Sequence, residues 1–429
     1  MTQDTRGKTG VLLSALFAMS FLSSPVFSAP AIHGFLETAI GARLERDDTK
    51  GDDLDLAEAR AQLKTSYYFE GDHFLAQKSG VLNAKGDFLL DGYYAGKTSA
   101  DLRELNLSLT PASFMDMKIG RQVLTWGTGD YLFINDLFPK DYVSFFSGRD
   151  DEYLKKPSDA MRLSFFPSGM NLDAAAMIFE PNTTAKGDRL SFYDSFQGRI
   201  AGVDSDRRLV EPANTPEDLE YALRAYRTVG SHEWAAYVFR GFDKNPTSYK
   251  NELARELYYR RLDVYGASVR GPFASGIGNI EAGYQRSPED ASGGNRLIEN
   301  SAIKMMAGYD KDLGQDLRLG LQYLYERRLN YADYAAALLP ADLIFDEHRH
   351  VLTQRLTKLL WDQRLTLSLF NFFSLSDKDG YVRASAGYKV SDAWEVTLGL
   401  HAPWGEEDTT EFGQMKQDRS VVLRTRFSF

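Results

Sequence analysis

The sequence predicts an all-β fold, a transmembrane antiparallel up-and-down β-barrel of about 18 strands over residues 32–429. Three observations carry that expectation. Apolar and polar side chains alternate through nearly every segment after residue 32. The links between those segments are by turns tight and long. The chain also ends on an alternating strand, "VVLRTRFSF", whose final residue is Phe429. Period-2 alternation gives a strand two unlike faces. A bilayer requires every backbone group to be paired, and a closed sheet achieves this without edges.

The strands can be justified in order. In "GFLETAIGARLE", Leu36, Thr38, Ile40, Ala42 and Leu44 share one face, and Glu37, Ala39, Gly41, Arg43 and Glu45 the other. Glu58, Arg60, Gln62 and Lys64 alternate with Ala57, Ala59, Ala61 and Leu63. Further along, Leu317, Leu319, Leu321, Tyr323 and Tyr325 oppose Arg318, Gly320, Gln322 and Glu326. Val382, Ala384, Ala386, Tyr388 and Val390 oppose Arg383, Ser385, Gly387 and Lys389. In the last strand Val421, Leu423, Thr425, Phe427 and Phe429 form the lipid face and Val422, Arg424, Arg426 and Ser428 the inner one. This strand pairs with the first. Its alternation and terminal Phe429 resemble the signal that outer-membrane proteins present to their assembly machinery.

Tight links fall at 70–72, 111–113, 167–169, 231–232, 273–278, 311–315, 361–362 and 391–392. Long ones fall at 47–55, 90–100, 125–157, 181–217, 243–257, 287–300, 330–346 and 404–418, and 376–380 is a short member of that second set. Short turns on the periplasmic side and long loops outside are the pattern of an outer-membrane barrel, which places the protein in a Gram-negative outer membrane.

Composition agrees. Mean hydropathy is −0.37, which excludes a bundle of apolar transmembrane helices. Tyr, Phe and Gly number 23, 27 and 35, as suits strands. The one long apolar stretch, Val11 to Ala29, follows Arg6 and Lys8 and reads as a signal peptide over residues 1–31. Cleavage falls after Ser28 or after Ala31. There is no cysteine, hence no disulfide and no acylated lipoprotein anchor. A formal charge of −10 argues against nucleic-acid binding.

Parity sorts the strand charges by face. The inward cations are Arg43, Arg60, Lys64, Lys85, Lys118, Arg162, Arg224, Arg270, Lys304, Arg318, Arg355, Arg364, Arg383, Lys389, Arg424 and Arg426. The inward acids are Glu37, Glu58, Asp87, Glu104, Asp116, Asp173, Glu220, Glu281, Glu326 and Glu395. This predicts a cationic lumen, which favours anions, and consigns the excess acid ("ERDDTKGDDLD", "GRDDEY", "GEEDTTE") to outer loops. Those loops either bind divalent cations that bridge lipopolysaccharide or stay solvated. Alternatively, the lumen charges serve as paired structural ladders.

One stretch stands apart, Lys118 to Pro167. Its loop, about 125–157, is dense in rings: Trp126, Tyr131, Phe133, Phe138, Tyr142, Phe145, Phe146 and Tyr153. It also carries Asp130, Asp136, Lys140 and Asp141. Solvated loops are rarely so apolar, so this one is expected to fold into the mouth and narrow it. Parity turns Arg121 toward lipid unless it lies at the rim or a bulge at Gly120 redirects it.

Gly120-Arg121-Gln122, then Trp126-Gly127, then Asp136 with Pro139 and Asp141 resemble alginate-export-type outer-membrane barrels and a related porin-like group. Val238 to Pro246, "VFRGFDKNP", resembles a mid-chain segment of the same group. The resemblance implies a channel for an anionic polymer with an arginine-rich constriction, and Arg121 alone occupies a matching position. It also implies, for the related group, a place beside lipid- or drug-exporting pumps. The aromatic loop departs from a polyuronate path and suits a smaller amphipathic anion.

The expected partners are outer-membrane lipids and lipopolysaccharide, the assembly machinery and a small anionic solute. No cofactor or metal is expected. As an enzyme the chain offers His401, inward by parity, without a serine in a nucleophile context. His348, His350 and Glu347 sit together near a loop end, where a rim metal site is conceivable but an ordinary polar loop end is the plainer reading.

Overall fold

The computed structural model describes residues 31–45, 53–70, 79–93 and 97–429. Its main body is an 18-stranded antiparallel sheet closed into a barrel. Closure is made by the first strand, Ile32–Arg43, against the last, Ser420–Ser428, in register from Phe35↔Ser428 to Arg43↔Ser420. Residues 1–30 of the expected signal peptide 1–31, residues 71–78 with His73 and most of the expected tight link 70–72, and residues 46–52 of the acidic stretch 45–55 lie outside the described residues.

The pleat sorts side chains as alternation predicts. In the first strand Phe35, Glu37, Ala39 and Arg43 are buried within the barrel while Leu36 and Ile40 lie exposed on its outer, lipid-facing surface. In the last, Val422 is buried and Leu423 exposed. The described tight links, such as Ala112–Met115, Val229–His232 and Phe273–Gly276, collect at one end. The long loops collect at the other.

Wall height is uneven. Leu54–Glu70, Ser79–Asp91 and Lys97–Ala112 are 17, 13 and 16 residues long. The next three strands, Met115–Gln122, Ser158–Phe165 and Asn171–Met177, have only 8, 8 and 7. Eleven more strands, Glu220–Val229 through Ser420–Ser428, complete the circle. Above the loop end, residues 208–210, 248–251 and 256–258 form a small sheet that ties two long loops together.

Candidate functional site

The segment between Gln122 and Ser158 crosses the bore. Its start is set by backbone geometry. Gly120 has φ +115° and lies so close to Leu105 that a Cβ would come within 2.3 Å of the carbonyl oxygen. Gln122 is fully buried, and its amide donates to the carbonyls of Ala160 (3.0 Å) and Gly120 (3.2 Å). Trp126 then packs edge-on to Phe138 at 5.1 Å, against Ala160, Ala175, Tyr237 and Val264 of the inner wall.

A buried carboxylate opposite fixes the turn that follows. Glu281 accepts from Thr128 N (2.5 Å), Thr128 Oγ1 (2.8 Å), Asn135 N (2.9 Å) and Asn135 Nδ2 (3.0 Å). Gly127, at φ +82°, is what lets the chain come so near, since a Cβ would stand 2.9 Å from Glu281 Oε1. This accounts for the Trp126-Gly127 pair. Each buried donor left unpaired costs about 1–3 kcal/mol, so Glu281→Gln should loosen the segment. The expected signature is a noisier and larger single-channel current; an unchanged current would refute the anchor.

Within the segment Lys140 donates to Asp136 Oδ1 (3.0 Å) and Phe138 O (2.7 Å), and Thr125 Oγ1 donates to Asp136 Oδ2 (2.8 Å). Burial pulls Lys140 below the usual ammonium range, with Asp136 opposing. Asp141 caps the short helix Tyr142–Phe146 through Ser144 N. The rings of Phe145 and Phe146 then pack on Tyr131, Tyr381 and Phe412. The aromatic residues are therefore the segment's own core and its glue to the wall. Trp126, Phe138, Phe145 and Tyr153 are all buried, so these four rings do not form a bare stripe along a path.

Beyond the helix comes an acidic tip. Asp150 meets Arg424 (3.3 Å) and Arg426 (3.1 Å), Asp151 pairs with Arg383, and Glu152 meets Lys85 (2.8 Å). Burial alone would raise Asp150, but Arg424 and Arg426 hold its carboxyl below the usual range. The strip is wet, since the Asp151 side chain is 53% exposed. Beside it Tyr153 lies under the guanidinium groups of Arg60 (4.0 Å) and Arg103 (4.7 Å). Glu58 gathers Arg149, Arg189 (3.0 Å) and Arg60 (3.7 Å). "GRDDEY" thus lies inside the bore, not in an outer solvated loop, because the wall arginines provide its partners.

The remaining candidates separate cleanly. Asp130 meets Arg355 at 3.0 Å, and burial raises its carboxyl although Arg355 opposes. Acidification should therefore protonate Asp130 above the ordinary carboxylate value, before Asp150. An acid-induced step in conductance that Asp130→Asn abolishes is the expected result. Arg43 is buried, donating to the carbonyls of Leu54 and Arg189. Tyr142, half-buried, stacks on Phe146 at 6.1 Å, and Asp136 is sealed inside the segment. Arg121 is not in the lumen. The register runs through Gly120 without a shift, so Arg121 stays on the outer face, 3.1 Å from Asp159. Lys64, Lys118, Arg162 and Arg318 make no ion pair among the described residues.

Parity missed Arg103, because a bulge at Lys85/Gly86 turns two successive residues, Arg103 and Glu104, inward. It also could not foresee Arg149 and Arg189, which loops deliver from far along the chain. His401 is buried, with Nδ1 2.6 Å from the Tyr381 hydroxyl. His348 and His350 pair with Tyr325 and Tyr323. Among the described residues no group of three His, Asp or Glu is arranged to hold a metal.

The barrel is similar to solved outer-membrane porins. OccAB3 of Acinetobacter baumannii matches with TM-score 0.56 and 10% identity over 94% of this chain and 100% of that one. OccK11 of Pseudomonas aeruginosa matches with TM-score 0.54 and 9% identity over 93% and 96%. A mutant of the Rhodopseudomonas blastica porin covers 94% and 100% at 11% identity, with a TM-score of 0.39 that bears no weight. No protein-family model matches the chain, and no curated protein matches it significantly. The alginate-export resemblance therefore rests on the short motifs alone.

Proposed function

We propose that the protein is an outer-membrane channel that passes small or amphipathic anionic solutes. The observation that carries the reading is the wet strip where the tip Asp150–Glu152 faces Lys85, Arg383, Arg424 and Arg426 across a closed barrel. A packed segment narrows the bore there, and opposed charges line what water remains. Such a low-dielectric, charge-lined constriction focuses the field on a passing ion.

Preference for anions has a second support on the turn side of that strip. Lys118 and Arg162 stand directly opposite one another on paired strands, and neither has an acid within ion-pair reach among the described residues. Like charges so placed repel, a cost that a visiting anion relieves. The full parity census is less one-sided, because Lys85, Arg355, Arg383, Arg424 and Arg426 pair with acids of the crossing segment. The test is the reversal potential in a planar bilayer under a KCl gradient. Anion selectivity that falls in Lys118→Gln/Arg162→Gln supports the reading, and cation selectivity of the unmodified protein overturns it.

A further inference from the structure

At its loop end the wall lacks a strand beside one long stretch of the described residues. The strand Lys97–Ala112 pairs with its predecessor along its whole length, from Asp91↔Lys97 to Gly80↔Leu109. Its other edge pairs only from Leu105 onward, because Met115–Gln122 stops at Gln122 and the chain then dives inward. The loop-end half, Lys97 to Glu104, has no strand on that side among the described residues. Thr98 to Leu102 are exposed in an unbroken run, although strand side chains point alternately in and out. Both faces and the edge between them are open.

A bare edge is not tolerated against hydrocarbon, and edges elsewhere invite unwanted pairing. This one lies beside lipid-facing apolar residues, since Phe88 and Leu90 on the adjacent strand are 55% and 58% exposed. The edge therefore sits where chains of lipid meet headgroups and water. The floor of the gap is built. Arg121 Nε donates to the Leu102 carbonyl at 2.7 Å, capping the lowest unpaired group, and its guanidinium is held by Asp159. Behind the gap stands Arg103, only 5% exposed, with no carboxylate partner among the described residues. Its Nη2 donates to the carbonyls of Glu152 (3.1 Å) and Lys155 (3.0 Å), and its Nε has no partner.

We infer that this gap is a lateral portal, through which an amphipathic anion passes between the bore and the bilayer. Its charged head is received by Arg103 and its apolar chain stays along Phe88, Leu90 and Leu102. The inference rests on the channel reading and names the class of solute for it, an anionic head on a hydrocarbon chain. A fatty acid and an anionic lipid share that chemistry.

The chain has no cysteine, so single cysteines can carry a bimane label without background. Ser99→Cys reports the inner side of the open edge, Leu90→Cys the lipid face, and Ser385→Cys the inner side of a wall paired on both flanks. In vesicles of phosphatidylcholine with brominated acyl chains, bimane at Ser99 should be quenched nearly as strongly as at Leu90, and at Ser385 hardly at all. Quenching at Ser99 no stronger than at Ser385 would overturn the portal. So would a disulfide-linked dimer of Ala100→Cys, which would mean that a second copy covers the edge. In bilayer recordings oleate should reduce the current, and an anionic lysophospholipid should do the same if the portal admits lipids as well as fatty acids. Arg103→Gln should raise the half-blocking oleate concentration on the order of tenfold, the equivalent of one charge-assisted contact. An unchanged oleate response would remove Arg103's role and with it the proposal. The two readings fail differently: conductance without quenching at Ser99 sinks the portal alone, whereas absence of conductance sinks the channel beneath it.

Discussion

Removing Gly129 to Asp151 and joining the ends with a short Gly-Ser link should raise single-channel conductance several-fold and abolish gating noise. The segment touches inner faces all round the circumference. It is pinned to Glu281, Arg355, Arg383 and Glu58 and packed against Tyr381 and Phe370. The barrel itself does not depend on those contacts. It closes through backbone pairing of eighteen strands, including first with last, so deletion empties the bore without opening the wall. Some stability is lost, because rings such as Phe145 and Tyr381 lose mutual burial. Retention of the β-sheet circular dichroism signal in detergent would show that the barrel survives. If conductance then equals that of the unmodified protein, the segment does not lie in the conduction path.

Neutralising the tip, with Asp150→Asn, Asp151→Asn and Glu152→Gln together, should increase anion over cation permeability several-fold. The three acids offset Lys85, Arg383, Arg424 and Arg426. Their removal strips Lys85 and Arg383 of these partners and leaves Arg424 and Arg426 sharing Glu37. All four side chains keep some access to solvent, 16–21%, so they can stay charged when their partners go. Exposed charge is screened by salt over about 8 Å at physiological ionic strength, so the effect should shrink as KCl rises. The reversal potential at two salt levels measures both. A permeability ratio that stays fixed, or moves toward cations, would show that ions do not pass the tip.

Much of the barrel was legible because strand periodicity is strict. A wall with lipid on one side and water on the other imprints a two-residue alternation, and Leu36, Glu37, Leu423 and Arg424 keep it to the last residue. Turn and loop lengths were legible for the same reason, since each marks where alternation stops. The crossing segment betrayed itself by composition. Its aromatic density predicted that it folds inward, and Trp126, Phe138, Phe145 and Tyr153 are buried. What they are buried against could not be read, because Phe145 meets Tyr381 across 236 positions of chain.

The charge of the bore shows the limit most plainly. Parity assigned Arg383, Arg424 and Lys85 inward and left open whether they line a cationic bore or form paired ladders, with the acids of "GRDDEY" outside. Folding brought those same acids to the cations, and delivered Arg149 and Arg189 to Glu58. Arg121 and Arg103 exchanged the places that motif and parity suggested, one held outside by an unbroken register and the other turned inside by a bulge.

The sequence by itself determined the eighteen-fold alternation, the closed sheet and the rank of long and short links, because each follows from interactions between a residue and the medium on its side of the wall. Only the tertiary structure decided which charges meet, where the crossing segment is anchored and where the wall lacks a strand. Those depend on side chains hundreds of positions apart arriving at the same few ångströms, and no local pattern records that.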